Sequence, residues 1–294
     1  MIKYVVTKEI TQQLAKDYLK RHEKISSTLW KKIKKHDNFF VNGEKIRASQ
    51  AFVKTGDIIE YSIPVESKVL PTKMELNILF EDDYLLIVEK PAQMLTHPLT
   101  FEAESTLANG VMYHFATTGQ ICGCHPLYRL DRNTSGIVVF AKAPQIQHLL
   151  ANNHEILQRF YYALVHGHLA KKQDKIVAPI AKKSDSLIVH EVNPAGKTAI
   201  SNYRVIKEFT DYSLVELTLE TGRTHQIRVH MSHLGHPLLG DDLYGGKLDM
   251  ITRHALHAYK IKFIHPFTKE ELIFTCDMPR DMQLLVKDLE SANQ

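Results

Sequence analysis

The residue type best suited to chemistry in this sequence is an aspartate set between two arginines. Asp131 lies in the stretch Leu127-Tyr128-Arg129-Leu130-Asp131-Arg132-Asn133-Thr134-Ser135-Gly136. A carboxylate there can serve as nucleophile or general base, and nearby cations favour its charged form. Asn133 to Gly136 are turn-formers that bond the local backbone or take unusual angles. The plainer reading is an Asp that bonds the amides of its own turn. Two later stretches carry further candidates. In Arg159-Phe160-Tyr161-Tyr162-Ala163-Leu164-Val165-His166-Gly167, Tyr161 reads as a strand aromatic in the core, with Tyr162 on the opposite face. In Thr221-Gly222-Arg223-Thr224-His225-Gln226-Ile227-Arg228-Val229-His230-Met231, Arg223 stands at a strand-to-helix turn, from which a side chain can point into a cleft.

Metal chemistry is the other class to weigh. Cys122-Gly123-Cys124-His125 has no second ligand pair, so ordinary loop thiols are the reading. His225 and His230 are five apart and share a helix face poorly, and they lack the His-Glu-x-x-His pattern. With His233 they are read as packing or hydrogen-bonding histidines, and no metal is assigned.

The elements that must position these residues are legible. Ile137 to Ala141 is a short apolar run bounded by Gly136 and by Lys142 to Pro144, the pattern of a buried strand. The Asp131 stretch is then a loop anchored to a core strand. Upstream, Ile78 to Glu81 and Leu85 to Val88 read as strands joined at Asp82-Asp83, followed by Lys90-Pro91 and the loop Met94 to Pro98. Thr106 to Phe115 and Gln145 to Leu157 read as helices, and Asp174 to Val192 as a hairpin. Strands follow at Gly196 to Val205, Ser213 to Glu220, Lys260 to Ile264 and Glu271 to Thr275, with a helix from Thr224 and a last one over Arg280 to Leu289.

The N-terminal part has a different character. Between Lys16 and Lys54 eleven basic residues, Lys24 among them, face four acidic ones. Leu14, Tyr18 and Leu19 recur at helical spacing. Ser26 or Ser27 can cap a second helix that carries Leu29, Trp30 and Ile33, with Trp30 read as core. Its Lys31, Lys32, Lys34 and Lys35 form either a merely solvated face or a surface that tracks phosphates. Phe39 to Val41, an Asn42-Gly43 turn and Ile58 to Tyr61 read as strands of a small sheet. Residues 64–76, with Pro64, Glu66, Lys68 and Pro71, contain little that could pack and read as a linker. The expected division is therefore 1–63, a linker over 64–76, and 77–294.

Bulk composition sets the outer limits. The chain has 294 residues, 44% of them apolar and 24% charged, with a net charge of +4. These are ordinary globular values, ample for a real core. No apolar run approaches a membrane span, and no signal-peptide core opens the sequence. Three cysteines suit a reducing compartment, so a cytoplasmic location is expected.

Arg129-Leu130-Asp131-x-x-Thr134-Ser135-Gly136 resembles the signature of the RluA-type pseudouridine synthases, which isomerise uridine within RNA. The Arg159 to Gly167 and Thr221 to Met231 stretches resemble that family's second and third motifs. So do Gly235 to Gly245 and Arg253 to Ala258, all in the family's order between about Asn77 and Phe267. The N-terminal order of helix, basic helix, Val-Asn-Gly turn and Ile-Glu-Tyr strand resembles an S-four-like RNA-binding module over about residues 12 to 62. The resemblance implies an α+β catalytic domain with a mixed, largely antiparallel sheet, preceded by a small α/β RNA-binding module. It implies Asp131 at C1′ of the target uridine, as nucleophile or as base on a sugar proton. Arg223 would be the cation that holds Asp131, Tyr161 the stacking face for the flipped base, and Arg129 the residue filling the vacated stack. The lysines of the second helix would hold RNA. The reaction needs no cofactor or metal, and the partner is ribosomal or transfer RNA, bound by a monomer. Two departures stand out. The family usually carries His where this chain has Tyr128, and a Gly near Gln93-Met94. A non-catalytic RNA-binding or RNA-folding factor, and a metal-dependent hydrolase built on the histidines, are the readings from other classes.

Overall fold

The computed structural model describes residues 2–23, 25–62, 67, 69–98, 105–151 and 157–292. Lys24, the stretch 63–66 with Lys68, and the end of the helix expected over 145–157 lie outside the described residues. The chain divides into two compact units, Met1–Glu66 and Ser67–Gln294.

In the first unit a four-stranded antiparallel sheet runs in the order Ile2–Val5, Ile58–Tyr61, Phe39–Val41, Glu44–Lys45. Asn42 and Gly43 both take positive φ, 54° and 82°, which makes the tight hairpin that their types favour. Helix Ser27–His36 begins where the Ser26 side chain accepts the Leu29 amide. It buries Trp30 and Ile33 and leaves Lys31, Lys32, Lys34 and Lys35 exposed. Trp30 meets Phe39 edge-on, so it is core.

The second unit is α+β, built on one ten-stranded mixed sheet. Its main path runs Gln173–Val177, Ile200–Glu208, Tyr212–Leu219, Leu157–His166, Leu256–Ile264, Ser135–Ala141, Leu85–Lys90, Asn77–Glu81. Along that path every neighbour is antiparallel except Ser135–Ala141 against Leu256–Ile264. Ser135–Ala141 is buried at every position, as the apolar run Ile137 to Ala141 requires, and the Ser135 hydroxyl meets His257 Nδ1. The segment expected as a single hairpin over Asp174 to Val192 is instead two elements. Gln173–Val177 joins the large sheet, and Ile180–Lys182 pairs with His190–Val192. Residues 69–76, read as a linker, lie on the second unit. Val69 is buried in its core, Thr72 N–H donates to Asn109 O, and Asn109 Nδ2 donates to Leu70 O. A few apolar and backbone contacts suffice where composition alone promised none.

The one parallel pairing requires Gly136. Its φ is +117°, and a Cβ there would stand 2.2 Å from Ala258 O. Gly136→Ala is therefore expected to destabilise the protein by about 2–3 kcal/mol. A denaturant midpoint equal to that of the wild type would refute the close approach.

Glu81, at the sheet edge, accepts from Lys142 Nζ at 2.8 Å, His114 Nε2 at 2.7 Å and Gln120 Nε2 at 2.8 Å. Burial works against its charge, but these donors outweigh it and hold the carboxyl at about 2. A carboxyl lowered on folding stabilises fully above its unfolded value of 4.5 and loses that contribution as pH falls through about 2. Glu81→Gln should flatten the acid limb of stability between those values. An unchanged slope in acid denaturation would show that the cluster contributes nothing.

Candidate active site

Asp131 is held by a loop tied down from several elements of the second unit. Lys90 at the end of its strand is fully buried, and its Nζ donates to Pro91 O at 2.8 Å, Met94 O at 2.8 Å and Arg132 O at 3.1 Å. Burial pulls the Lys90 ammonium down to about 7. Three carbonyl acceptors, one per proton, nevertheless fit only the charged form. Thr96 Oγ1 donates to Leu130 O and accepts Leu130 N–H. From the far end of the chain, Arg253 Nη1 donates to Asn133 O at 3.0 Å while its Nε and Nη2 clamp Asp281. The Thr134 hydroxyl meets His254 Nε2 at 2.8 Å, and burial, reinforced by Arg228 and Arg253, pushes His254 down to about 2. Gln93 adopts φ +64°, so the loop keeps a left-handed turn where a Gly would adopt it without strain.

The third motif supplies the opposite wall. Gln226 is buried and uses its whole amide. Its Oε1 accepts from Thr221 Oγ1 and from Arg223 N–H, and its Nε2 donates to Ile200 O and Ser201 Oγ. That fixes the strand-to-helix turn. The helix begins at Gln226 with His225 as its cap, one residue beyond Thr224, the cap expected from the sequence, because His225 takes a left-handed φ of 56°. This start sets Arg228 in the first turn, facing Asp131.

Arg228, rather than Arg223, is the cation that reaches Asp131. Arg228 Nη1 lies 3.3 Å from Asp131 Oδ2. Its Nε and Nη2 both bond Asp241, each at 2.7 Å, and its guanidinium lies over the Tyr244 ring. Asp241 is 1% exposed, so this bidentate pair is buried. Arg223 is exposed and donates its Nε to Thr198 O at 2.9 Å. Both arginines stand in the same motif. The helix register separates them, and the register depends on the unusual angle at His225.

His225 also belongs to the site. Tyr244 Oη accepts the His190 amide at 3.0 Å and lies 2.7 Å from His225 Nδ1. The other ring nitrogen, His225 Nε2, stands 3.9 Å from Asp131 Oδ2. Burial holds this imidazole below its ordinary value, against the pull of Asp131. His230, by contrast, is buried between Ser201 Oγ and Ala178 O, a hydrogen-bonding histidine. Among the described residues no cluster of His, Cys, Asp and Glu is arranged to hold a metal ion.

These residues surround a cavity of about 540 Å³, a size suited to a small ligand or one nucleotide. Asp131, Tyr161, Arg223, Arg228, His225 and Arg129 line it. Tyr161 is 4% exposed on the inner face of its strand, and burial raises its hydroxyl above the ordinary value. Arg129 is exposed at the rim. Tyr128, in place of a family His, donates its Oη to Ile137 O at 2.9 Å and lies under the Arg159 guanidinium. Lys31, Lys32, Lys34 and Lys35 belong to the first unit. The structure thus brings Asp131, Tyr161, Arg223 and Arg129 to one cavity and adds Arg228, His225 and Arg159, with Asp241 buried behind Arg228. A carboxylate, a buried bidentate cation beside it and an aromatic wall suit nucleophilic or acid–base attack on a polar ring system.

Comparison with known proteins points the same way. Residues 84–233 match the family model described as RNA pseudouridylate synthase. A Bacillus subtilis protein named uncharacterized RNA pseudouridine synthase YjbO is 40% identical over 252 residues, covering 84% of this chain and 89% of that one. The ribosomal large subunit pseudouridine synthase D of Pasteurella multocida is 34% identical, covering 86% of this chain and 84% of its own. Among solved structures, human RNA pseudouridylate synthase domain containing 4 superposes with a TM-score of 0.60 at 22% identity, over 73% of this chain and 93% of that one. That last likeness speaks to the fold.

Proposed function

The chain belongs to the RNA pseudouridylate synthase family, of the RluA type, and from that premise we propose that it isomerises particular uridines of structured RNA with Asp131 as the reacting carboxylate. As a pseudouridine synthase it breaks the N1–C1′ bond of a uridine and joins C5 to C1′. The C5 hydrogen leaves and N1 gains one, so the change is an isomerisation with no net oxidation or hydrolysis. No electron carrier and no metal are needed. The observation that carries the assignment to Asp131 is its placement. Among the lining residues it is the carboxylate of the cavity, with Arg228 at 3.3 Å and its loop pinned from four sides.

Within this reading Asp131 acts on the ribose and Tyr161 gives the uracil a flat face. Arg228 offsets the carboxylate charge, and Arg129 at the rim fills the space the flipped base leaves. The exposed lysines of helix Ser27–His36 hold phosphates in the manner of an S-four-like module. Several relatives are named for the large ribosomal subunit, so ribosomal RNA is the first substrate to test and transfer RNA the second. A cytoplasmic monomer fits this work. Among the described residues no helix is long and apolar enough to cross a membrane.

The test is release of tritium from RNA labelled at uracil C5, using RNA from a strain that lacks the gene. Forming the new bond must expel that hydrogen, whereas binding alone leaves it in place. Release by the wild type, undiminished by a chelator, is the expected result. Its absence on ribosomal and transfer RNA alike would turn the assignment toward a non-catalytic RNA-binding factor.

A further inference from the structure

We propose that Arg159 is a phosphate-binding residue of this site, holding a phosphate of the target nucleotide itself. The proposal rests on the reading above, in which a uridine enters the cavity.

Arg159 is 8% exposed and lines the cavity. Among the described residues its Nε has no hydrogen-bond partner. Its Nη2 approaches Thr221 O only at 3.5 Å, beyond the range of a good N–H···O bond. Among the described residues no carboxylate forms an ion pair with it. A buried guanidinium with an unmet donor and, among the described residues, no paired carboxylate is costly, and proteins rarely retain one without an anion to meet it. The contrast with Arg228 is direct, because that guanidinium is matched by Asp241 and Asp131. Arg129 and Arg223 are exposed, so water serves them.

The surroundings hold Arg159 ready rather than neutralise it. Its Cζ lies 5.1 Å from the centre of the Tyr128 ring, which fixes the plane of the fork. Tyr128 is itself locked by its bond to Ile137 O. On the other side a Cβ at Gly222 would stand 3.1 Å from Arg159 Nη1, so the bare glycine leaves room beside the guanidinium.

The class of ligand follows from charge and spacing. A uracil carbonyl would satisfy a donor but leave the charge unmatched, whereas a phosphate does both, and bidentately. Arg159 and Tyr161 are two residues apart on one strand face, a separation of about 7 Å. That span suits a base on Tyr161 and a phosphate of the same nucleotide on Arg159. The Tyr128 that replaces the family's usual His is then part of the phosphate site, as the platform on which its arginine rests.

The test uses uridine, uridine 3′-monophosphate and uridine 5′-monophosphate, titrated into the full chain and followed by ligand-observed NMR. The wild type should bind one of the two nucleotides about ten-fold more tightly than uridine. Arg159→Gln should reduce that advantage to roughly two-fold or less, and Arg159→Lys, which keeps the charge but not the fork, should retain part of it. Melting temperatures and one-dimensional spectra of the variants establish that they are folded, and the wild-type comparison needs no variant. Nucleotides and uridine binding equally to the wild type would overturn the proposal. So would an advantage that survives Arg159→Gln or disappears in Arg223→Gln instead. The readout is separate from turnover. Nucleotide preference without tritium release would leave the phosphate site standing and the isomerase reading fallen, and release without preference would do the reverse.

Discussion

Asp131→Asn is expected to lower tritium release by roughly 10⁴-fold or more while the protein stays folded. Asparagine keeps the shape and can still accept from Arg228 Nη1 through its carbonyl oxygen. It can neither attack carbon nor take a proton, and loss of such a group typically costs that much. The fold should tolerate the change because Asp131 is not what satisfies the buried arginine. Asp241 accepts two of its donors at 2.7 Å, against a single 3.3 Å contact to Asp131. The loop itself hangs on backbone carbonyls of Arg132 and Asn133, and on Leu130 and Thr134, none of which the substitution touches. The melting temperature should therefore move by no more than a few degrees. Release within ten-fold of the wild type would remove Asp131 from the chemistry.

The second large effect separates two arginines of one motif. Arg228→Met strips Asp241 of both its partners in a position that is 1% exposed. An unpaired buried carboxylate costs about 3–5 kcal/mol. The same change removes the cation beside Asp131, so release should fall by about 10²–10³-fold as well. Arg223→Met loses one bond to Thr198 O at an exposed site, and its stability should change by less than about 1 kcal/mol. Adding Asp241→Asn to Arg228→Met removes the orphaned charge. Stability should then recover in part while release does not, a split that a purely structural role for Arg228 would not produce. If Arg223→Met abolished release and Arg228→Met spared it, the arrangement of the site would be refuted.

Much of this was legible in residue types. The unbroken apolar run before Lys142 marks a strand buried on both faces, and such a strand can hold a polar loop rigidly. Ser26 before Leu29 and Trp30 marks a helix start, and Asn42-Gly43 marks a hairpin. What the sequence concealed depends on tertiary geometry. His225 is not a residue type that announces a left-handed angle, yet that angle delays the helix to Gln226 and turns Arg228 inward. The family resemblance put Arg223 in its place, and residue types alone do not separate two arginines of one motif. The Arg228–Asp241 pair joins residues across a turn whose shape no local pattern encodes. Helix spacing argues against a metal at His225 and is silent about a carboxylate brought in on a distant loop. The polar composition of residues 69–76 reads as a linker, but a buried Val69, one backbone bond to Asn109 O and one from the Asn109 side chain seat them.

The clamp of Arg253 on Asn133 O spans 120 residues of sequence, and Asp281 stands behind it. A growing chain that has just released Asp131 from the ribosome lacks every partner that would shape its loop from the C-terminal side. The Lys-rich helix has by then long emerged. During synthesis the cationic helix thus emerges first, and the loop of Asp131 gains its partners only after Arg228, Arg253 and Asp281 have followed. On the proposed function, nascent copies are therefore expected to stay inactive until those three residues have joined the fold.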